Sequence, residues 1–498
     1  VASLLVLRLV RALAGDGPLT LVLVAVYLFS PLAFTASVWW ASALQAVPLQ
    51  LCMAWALLSH LRHLRTGSLV SAAMAALAVV VGLLFWQKAL LIPLVLVAFT
   101  VLLGPLFTGR PLRSLLSRSK VALVGYLMLA AGFATAYLLR TEQESSGLPT
   151  PTELWQLVRF AIVDTFAPGL FGVMGGAEPA GALLAPAPSP AVLLASWQVL
   201  GLAVVASVVV ARWTAVRAWA LLLGYLLVDM ALVASTRLDF VGTVVGRDPR
   251  YVADAIVVAV VVLAAVGVAV RHHSAAVPSV LWQSRAPVAG VLVLAMVNAS
   301  LVSTFAVVQR LPMGDAGHFV ANARAAASGS GPVDLVDGPV PDFVIAPFFV
   351  EQARASVAVG ALSGLRFGRP SADLRMLDGF GLPQPINIRQ AAEAETDGRP
   401  ACAWSVRRDR VDIPLDEAVP TGRWVARIGY YSAAPTTGVL TVGQQRTQVD
   451  LLEGVHHLYL EFASTRPLRR VSLEGLPGGD AVCVTDVVVG VPWPRQAG

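Results

Sequence analysis

Apolar runs close to twenty residues long recur through the first three fifths of the chain and then stop. About 20 consecutive apolar residues are needed to cross the roughly 30 Å hydrocarbon core of a bilayer. On that measure the pattern predicts nine spans, at 19–36, 43–61, 69–86, 89–107, 120–139, 190–210, 217–235, 252–270 and 287–308. Val1–Ala14 is too short to span, carries Arg8 and Arg11, and lacks a signal peptide's apolar stretch and cleavage site. It reads as the tail of a helix whose beginning is missing. The loop 140–189 is too long for a passive turn. Within it, Pro151–Ala167 places Leu154, Leu157, Val158, Ala161 and Ile162 at helical spacing, so a helix lying in the membrane interface is expected, with Trp155 at headgroup level. The Gly-, Pro- and Ala-rich stretch Pro168–Pro190 is expected to be flexible.

After Val308 the texture changes to short alternating runs between turn residues. The expected fold class is therefore a polytopic α-helical membrane domain (1–309), a mixed α/β segment (310–400), and an all-β sandwich or jelly roll (401–498). In the middle segment a helix is expected at His318–Ala327, and strands at Val333–Val336 and Phe343–Ile345. Later strands are expected at Trp424–Tyr431, Gly438–Val442, Gln448–Leu452, His457–Phe462, Arg470–Leu473 and Val482–Val489.

Composition agrees. Of 498 residues, 57% are hydrophobic and only 13% charged, half the charged share of an ordinary soluble domain, and mean hydropathy is +0.72. A single water-soluble globule is excluded. Residues 1–309 carry 18 basic and 10 acidic side chains and residues 310–498 carry 18 and 20, so the net charge of +6 belongs to the helical part and reports orientation rather than nucleic-acid binding. Arg62 and Arg65; Arg110, Arg113, Arg118 and Lys120; Arg212 and Arg217; and Arg271 and Arg285 fall in every second loop. Positive loops face the cytoplasm, which puts the carboxylate-bearing loops and the β-rich tail outside. The implied location is a membrane, multi-pass, with the tail extracytoplasmic. In that oxidising compartment Cys402 and Cys483 either form a disulfide or remain buried thiols. Cys52 is an apolar filler within a span.

Soluble-enzyme motifs are absent: there is no Walker A loop, GxGxxG, GxSxG, CxxC or HExxH. Three outer clusters carry candidate chemistry. Lys88 follows Trp86 at the end of a span, in a chain with 34 Arg and only two Lys. It reads as a phosphate-binding point charge or as a snorkelling, orienting one. Gly246-Arg247-Asp248-Pro249-Arg250-Tyr251 opens a span, with Asp248 as N-cap and Pro249 at the first helical position. Arg247 and Arg250 offer forked donors to phosphate, or join an interfacial ion-pair cluster. In Ser37–Gln45 the pair Trp39 and Trp40, with Gln45, reads as a sugar contact or as part of an aromatic belt.

Phe85-Trp86-Gln87-Lys88-Ala89-Leu90-Leu91-Ile92-Pro93 and Arg250-Tyr251-Val252-Ala253-Asp254-Ala255 resemble segments of the GT-C superfamily, the polytopic glycosyltransferases that use polyprenyl-phosphate sugars. The likeness is to its protein mannosyltransferase and arabinosyltransferase branches, the latter with an outer carbohydrate-binding jelly roll. The resemblance implies a bacterial plasma membrane and an inverting transfer from a polyprenyl-phosphate sugar to a cell-envelope glycan or protein acceptor on the outer face, with Lys88, Arg247, Arg250 and Tyr251 at the donor phosphate. The family's catalytic carboxylates sit in a first outer loop that is not visible before Val1. Asp164 and Glu153 are the local substitutes as base, and any divalent metal would belong to the missing carboxylates. The alternative functions are a membrane-anchored carbohydrate-binding scaffold and a transporter or flippase of a lipid-linked precursor. The last requires ionisable residues deep within the spans, where Asp229 is the embedded candidate.

Overall fold

Unbroken apolar stretches form long helices, and proline or an extended residue divides the others. The computed structural model describes residues 1–38, 40–140, 149–174, 176–180, 183–273, 285–309, 313–329, 331–395, 402–475 and 481–495. The chain forms two compact units, Val1–Leu311 and Pro312–Gly498.

The first unit is helical. Its helices are α1 Ala2–Ala14, α2 Pro18–Leu28, α3 Leu32–Val38, α4 Trp40–Thr66, α5 Leu69–Phe85, α6 Leu91–Leu102, α7 Gly104–Thr108, α8 Leu112–Arg140, α9 Pro151–Val158, α10 Ala167–Leu170, α11 Pro190–Ala211, α12 Trp213–Val241 and α13 Ala255–His273, followed by the helix Arg285–Val308. Six of these, α4, α8, α11, α12, α13 and the last, are long and apolar enough to cross a membrane. Two expected spans are interrupted. The stretch 19–36 ends its first helix at Leu28 and resumes at Leu32, because Pro31 has no N–H to continue the ladder. The stretch 89–107 begins as a 3₁₀ turn, Gln87–Leu90, and restarts at Gly104 because of Pro105. Hydropathy averages across such breaks and does not see them.

Burial separates the helices into two kinds. From Ala255 to Ala265 nearly every side chain of α13 is buried, so this helix is the axis of the unit. By contrast, α11 exposes Leu194, Leu202, Val205 and Val209, and the helix Arg285–Val308 exposes Val291, Leu294, Leu301 and Phe305. Helices apolar all round yet exposed need an apolar surrounding. At one end of the unit, arginines satisfy carbonyls that helix termini leave open. Arg65 Nη2 donates to Ala12 O (2.9 Å) and its Nε to Phe107 O (3.2 Å). Arg110 Nη1 donates to Leu64 O (3.0 Å) and Arg271 Nη2 to Ala14 O (3.0 Å).

The expected interfacial segment is helical, but α9 continues as a π-helix, Arg159–Phe166, and then α10. Leu157 and Ala161 are buried, so it packs on the unit, while Trp155 stays exposed. The stretch expected to be flexible forms an antiparallel hairpin, β1 Gly176–Ala180 with β2 Leu183–Ala187.

The second unit begins with the helix Met313–Ala327 and the short strands β3 Val333–Leu335, β4 Leu365–Phe367 and β5 Arg375–Leu377. Phe343–Ile345, expected as a strand, lies in a turn, with the N–H groups of Val344 and Ile345 donating back to Pro341 O. The remaining strands are β6 Pro383–Glu393, β7 Trp404–Val406, β8 Arg410–Val419, β9 Gly422–Ser432, β10 Thr436–Val442, β11 Gln445–Leu451, β12 Gly454–Ser464, β13 Leu468–Gly475 and β14 Val482–Pro494. One layer runs β11-β10-β13-β8; the other starts β12-β9-β14-β6 and extends through β5 to β3 and β4. Read without β7, these two sets of four have the strand order of a jelly roll. Their facing side chains, Leu440, Val449, Val471 and Leu473 against Ile428, Leu460, Val484 and Val487, form one core. The sheet runs through the expected boundary at residue 401, since β6 pairs with β14.

Cys402 and Cys483 are bridged, with 5.4 Å between their Cα atoms. Reduction is expected to lower the stability of this unit by about 2–4 kcal/mol, read as a lowered denaturation midpoint; a midpoint indifferent to reductant would refute it. A second expectation concerns Glu461 on β12, which accepts the Asp337 N–H at 2.7 Å. Burial raises its carboxyl above the usual range, as does the nearby Asp337, against the pull of that N–H, Arg423 and Arg354. The folded state then holds this proton more tightly than the unfolded chain, so the contribution to stability is full below about pH 4 and is lost as pH rises through the folded value. Relative to Glu461→Gln, the wild-type Tm should fall as pH rises over that range; parallel pH profiles would contradict this.

Candidate functional site

The segment between α12 and α13 carries the site. Gly242 ends α12 with φ 78°, two 3₁₀ turns follow, Thr243–Arg247 and Pro249–Tyr251, and α13 starts at Ala255. The Asp248 side chain caps the second turn by accepting the Arg250 N–H at 3.0 Å, so the expected cap is present but opens a 3₁₀ turn rather than the long helix. Burial raises the Asp248 carboxyl, opposed by Arg250, whose Nε lies 2.5 Å from Asp248 Oδ2. Arg250 Nη2 also donates to the Tyr251 hydroxyl at 3.1 Å.

The π-helix packs directly on this segment. A Cβ at Gly246 would lie 2.6 Å from Leu157 O and 3.2 Å from Ala161 N, so only glycine permits the approach. Thr165 Oγ1 donates to Gly246 O at 3.3 Å. As a result Asp164 Oδ2 stands 3.9 Å from Arg247 Nη2, and the guanidinium lies 4.3 Å from the centre of the Phe160 ring. The Arg247 side chain is about a third exposed and Asp164 nearly buried. Asp164 Oδ1 and Arg247 Nε have no hydrogen-bond partner among the described residues. π-Helical turns are frequently found at functional sites.

Lys88 does not lie at a surface. It is 2% exposed, and its ammonium touches Tyr251 O (2.5 Å), Asp254 Oδ1 (2.6 Å) and Asp229 Oδ1 (2.9 Å), with the Trp86 ring centre at 5.3 Å. The Tyr225 hydroxyl donates to Asp254 Oδ2. The Lys88 segment therefore does meet the Arg250–Asp254 segment, but each cation has its own carboxylates: Lys88 has Asp229 and Asp254, Arg250 has Asp248, and Arg247 has Asp164. They do not converge on one point. The signal that finds the Lys88 cluster is the presence of Lys88, Asp229 and Asp254 in otherwise apolar stretches, since ionisable residues there pair with one another; nothing in the sequence singles out Tyr225 or Phe160.

Other expected site residues lie apart. Glu153 closes a capping box with Thr150, and those hydrogen bonds hold its carboxyl below the usual range. Trp39 lies outside the described residues, Trp40 is the first residue of α4, and Gln45 is exposed on that helix. Among the described residues no group of three or more His, Cys, Asp or Glu side chains could hold a metal ion. No protein-family model matches the chain, and no curated protein sequence matches it.

Proposed function

We propose that the chain is a membrane-embedded glycosyltransferase that takes a sugar from a polyprenyl-phosphate donor. The observation that carries this reading is the meeting of Asp164 with Arg247, each with an unpartnered polar atom, on a ring-backed and partly exposed guanidinium. Departure of a lipid phosphate leaves charge on oxygen, which a guanidinium fork stabilises. An acceptor hydroxyl needs a carboxylate within hydrogen-bond reach to take its proton. Asp164 and Arg247 supply these two roles side by side. The six apolar helices give the lipid tail its surroundings, and the jelly roll offers a sheet scaffold of the kind used by carbohydrate-binding domains. In this reading the Arg247 segment faces the outside, as the distribution of basic loops implies.

The test is binding of a polyprenyl-phosphate sugar to the chain in nanodiscs. Arg247→Ala is expected to weaken binding about tenfold or more, in line with the roughly 1.5–3 kcal/mol of a charged hydrogen bond, without unfolding. Unchanged affinity would overturn the reading. A second reading, transport of a lipid-linked precursor, is favoured by one observation: Lys88, Asp229 and Asp254 are ionisable residues buried within the helical unit. Donor-dependent movement across a sealed vesicle without glycosyl transfer would select it.

A further inference from the structure

The Lys88 cluster holds two carboxylates against one ammonium. Asp229 and Asp254 are both 0% exposed and Lys88 is 2% exposed, so solvent does not screen the excess negative charge. An uncompensated buried charge costs several kcal/mol after relaxation. The Lys88 ammonium donates to Tyr251 O and Asp254 Oδ1 and forms an ion pair with Asp229 Oδ1 at 2.9 Å. The two carboxylates differ in what remains. Asp254 Oδ2 accepts the Tyr225 hydroxyl, so both of its oxygens are satisfied as an anion. Neither oxygen of Asp229 has a hydrogen-bond partner among the described residues. The other charged groups nearby are engaged with each other: Arg250 lies on Asp248 and over the Tyr251 ring. Gln50, from α4, is neutral and donates to Ala253 O.

We propose that this cluster is a proton-binding site, in which Asp229 carries one proton. The proton brings the charge count to one ammonium and one carboxylate. Asp229 takes it because Asp254 accepts hydrogen bonds from Lys88 and Tyr225, whereas neither oxygen of Asp229 accepts one among the described residues. The site is independent of the glycosyltransferase reading. It touches the segment bearing Arg247 and Arg250 through the Lys88–Tyr251 O bond, and its ligand is the smallest of cations.

Infrared spectroscopy of the full chain in nanodiscs at neutral pH reads a protonated carboxyl by its C=O stretch. The expected result is one such band in the wild type that is lost in Asp229→Asn and also in Asp254→Asn, since either change leaves one carboxylate for one ammonium. No band lost in Asp229→Asn overturns the proposal. A band that survives Asp254→Asn overturns the count of two carboxylates against one ammonium on which the site rests. A wild-type Tm that rises with sodium chloride but not with choline chloride, with no protonated band, also overturns it, by assigning the charge to a metal ion. Where Asp229→Asn does not fold, Asp229→Glu in protein carrying ¹³C-labelled aspartate carboxyls replaces it: loss of the labelled protonated band supports the site, and an unchanged band refutes it.

Discussion

Replacing Lys88 by methionine is expected to cost about 3–5 kcal/mol of folding stability, the usual penalty for removing one partner of a buried ion pair. Methionine keeps most of the side chain's length and volume, so packing beside Trp86 is preserved and the charge alone is removed. What remains is Asp229 and Asp254 with no cation and Tyr251 O with no donor. The loss is a large fraction of the 5–15 kcal/mol that holds a typical domain together. Denaturant or thermal unfolding in nanodiscs measures it. The triple variant Lys88→Met, Asp229→Asn, Asp254→Asn should recover much of the stability, because it removes the uncompensated buried charges that make breaking such a pair costly. A loss below about 1 kcal/mol would be that of an exposed charge and would refute the buried cluster.

On the proposed glycosyltransferase reading, Asp164→Asn is expected to lower the rate of transfer by about 10²–10⁴, the range for removing a general base, while leaving donor affinity within about threefold. Asparagine is nearly isosteric, so the fit of the π-helix against Gly246 is kept and Arg247 stays beside an amide oxygen. The split between rate and affinity separates a base from a group that only orients the donor. Single-turnover transfer from a polyprenyl-phosphate sugar reads the first quantity and equilibrium binding the second. A rate within about threefold of wild type would remove Asp164 from the chemistry.

The pattern of the chain conveys the elements better than their partners. Period-two alternation locates the six later strands because each strand buries one face, as in Thr436–Val442. The sequence leaves the Cys402–Cys483 pair open between a disulfide and two thiols, since the approach of β7 to β14 depends on the sheet and not on spacing. Local signals also carry through where they are local, as with Asp248 before Pro249. What composition along a line cannot convey is which buried charges meet. Lys88 looks like an interfacial residue because it ends one apolar run and begins another. Its three partners come from a helix and a turn more than 140 positions later. The Asp164–Arg247 contact is hidden for the same reason, because the π-helix and the glycine that lets it approach are properties of packing.

The arginines that close the helix ends bear on how the orientation of this chain is to be measured. A common strategy moves basic residues between loops and asks whether the protein inverts. Here Arg65, Arg110 and Arg271 each bond to carbonyls of other helices, so relocating them would dismantle joints as well as redistribute charge, and a failed insertion would be mistaken for a topological signal. Reporter cysteines at Ser114, between the basic residues Arg113 and Arg118, and at an exposed position of a facing loop leave those joints whole and report sidedness without rewriting it.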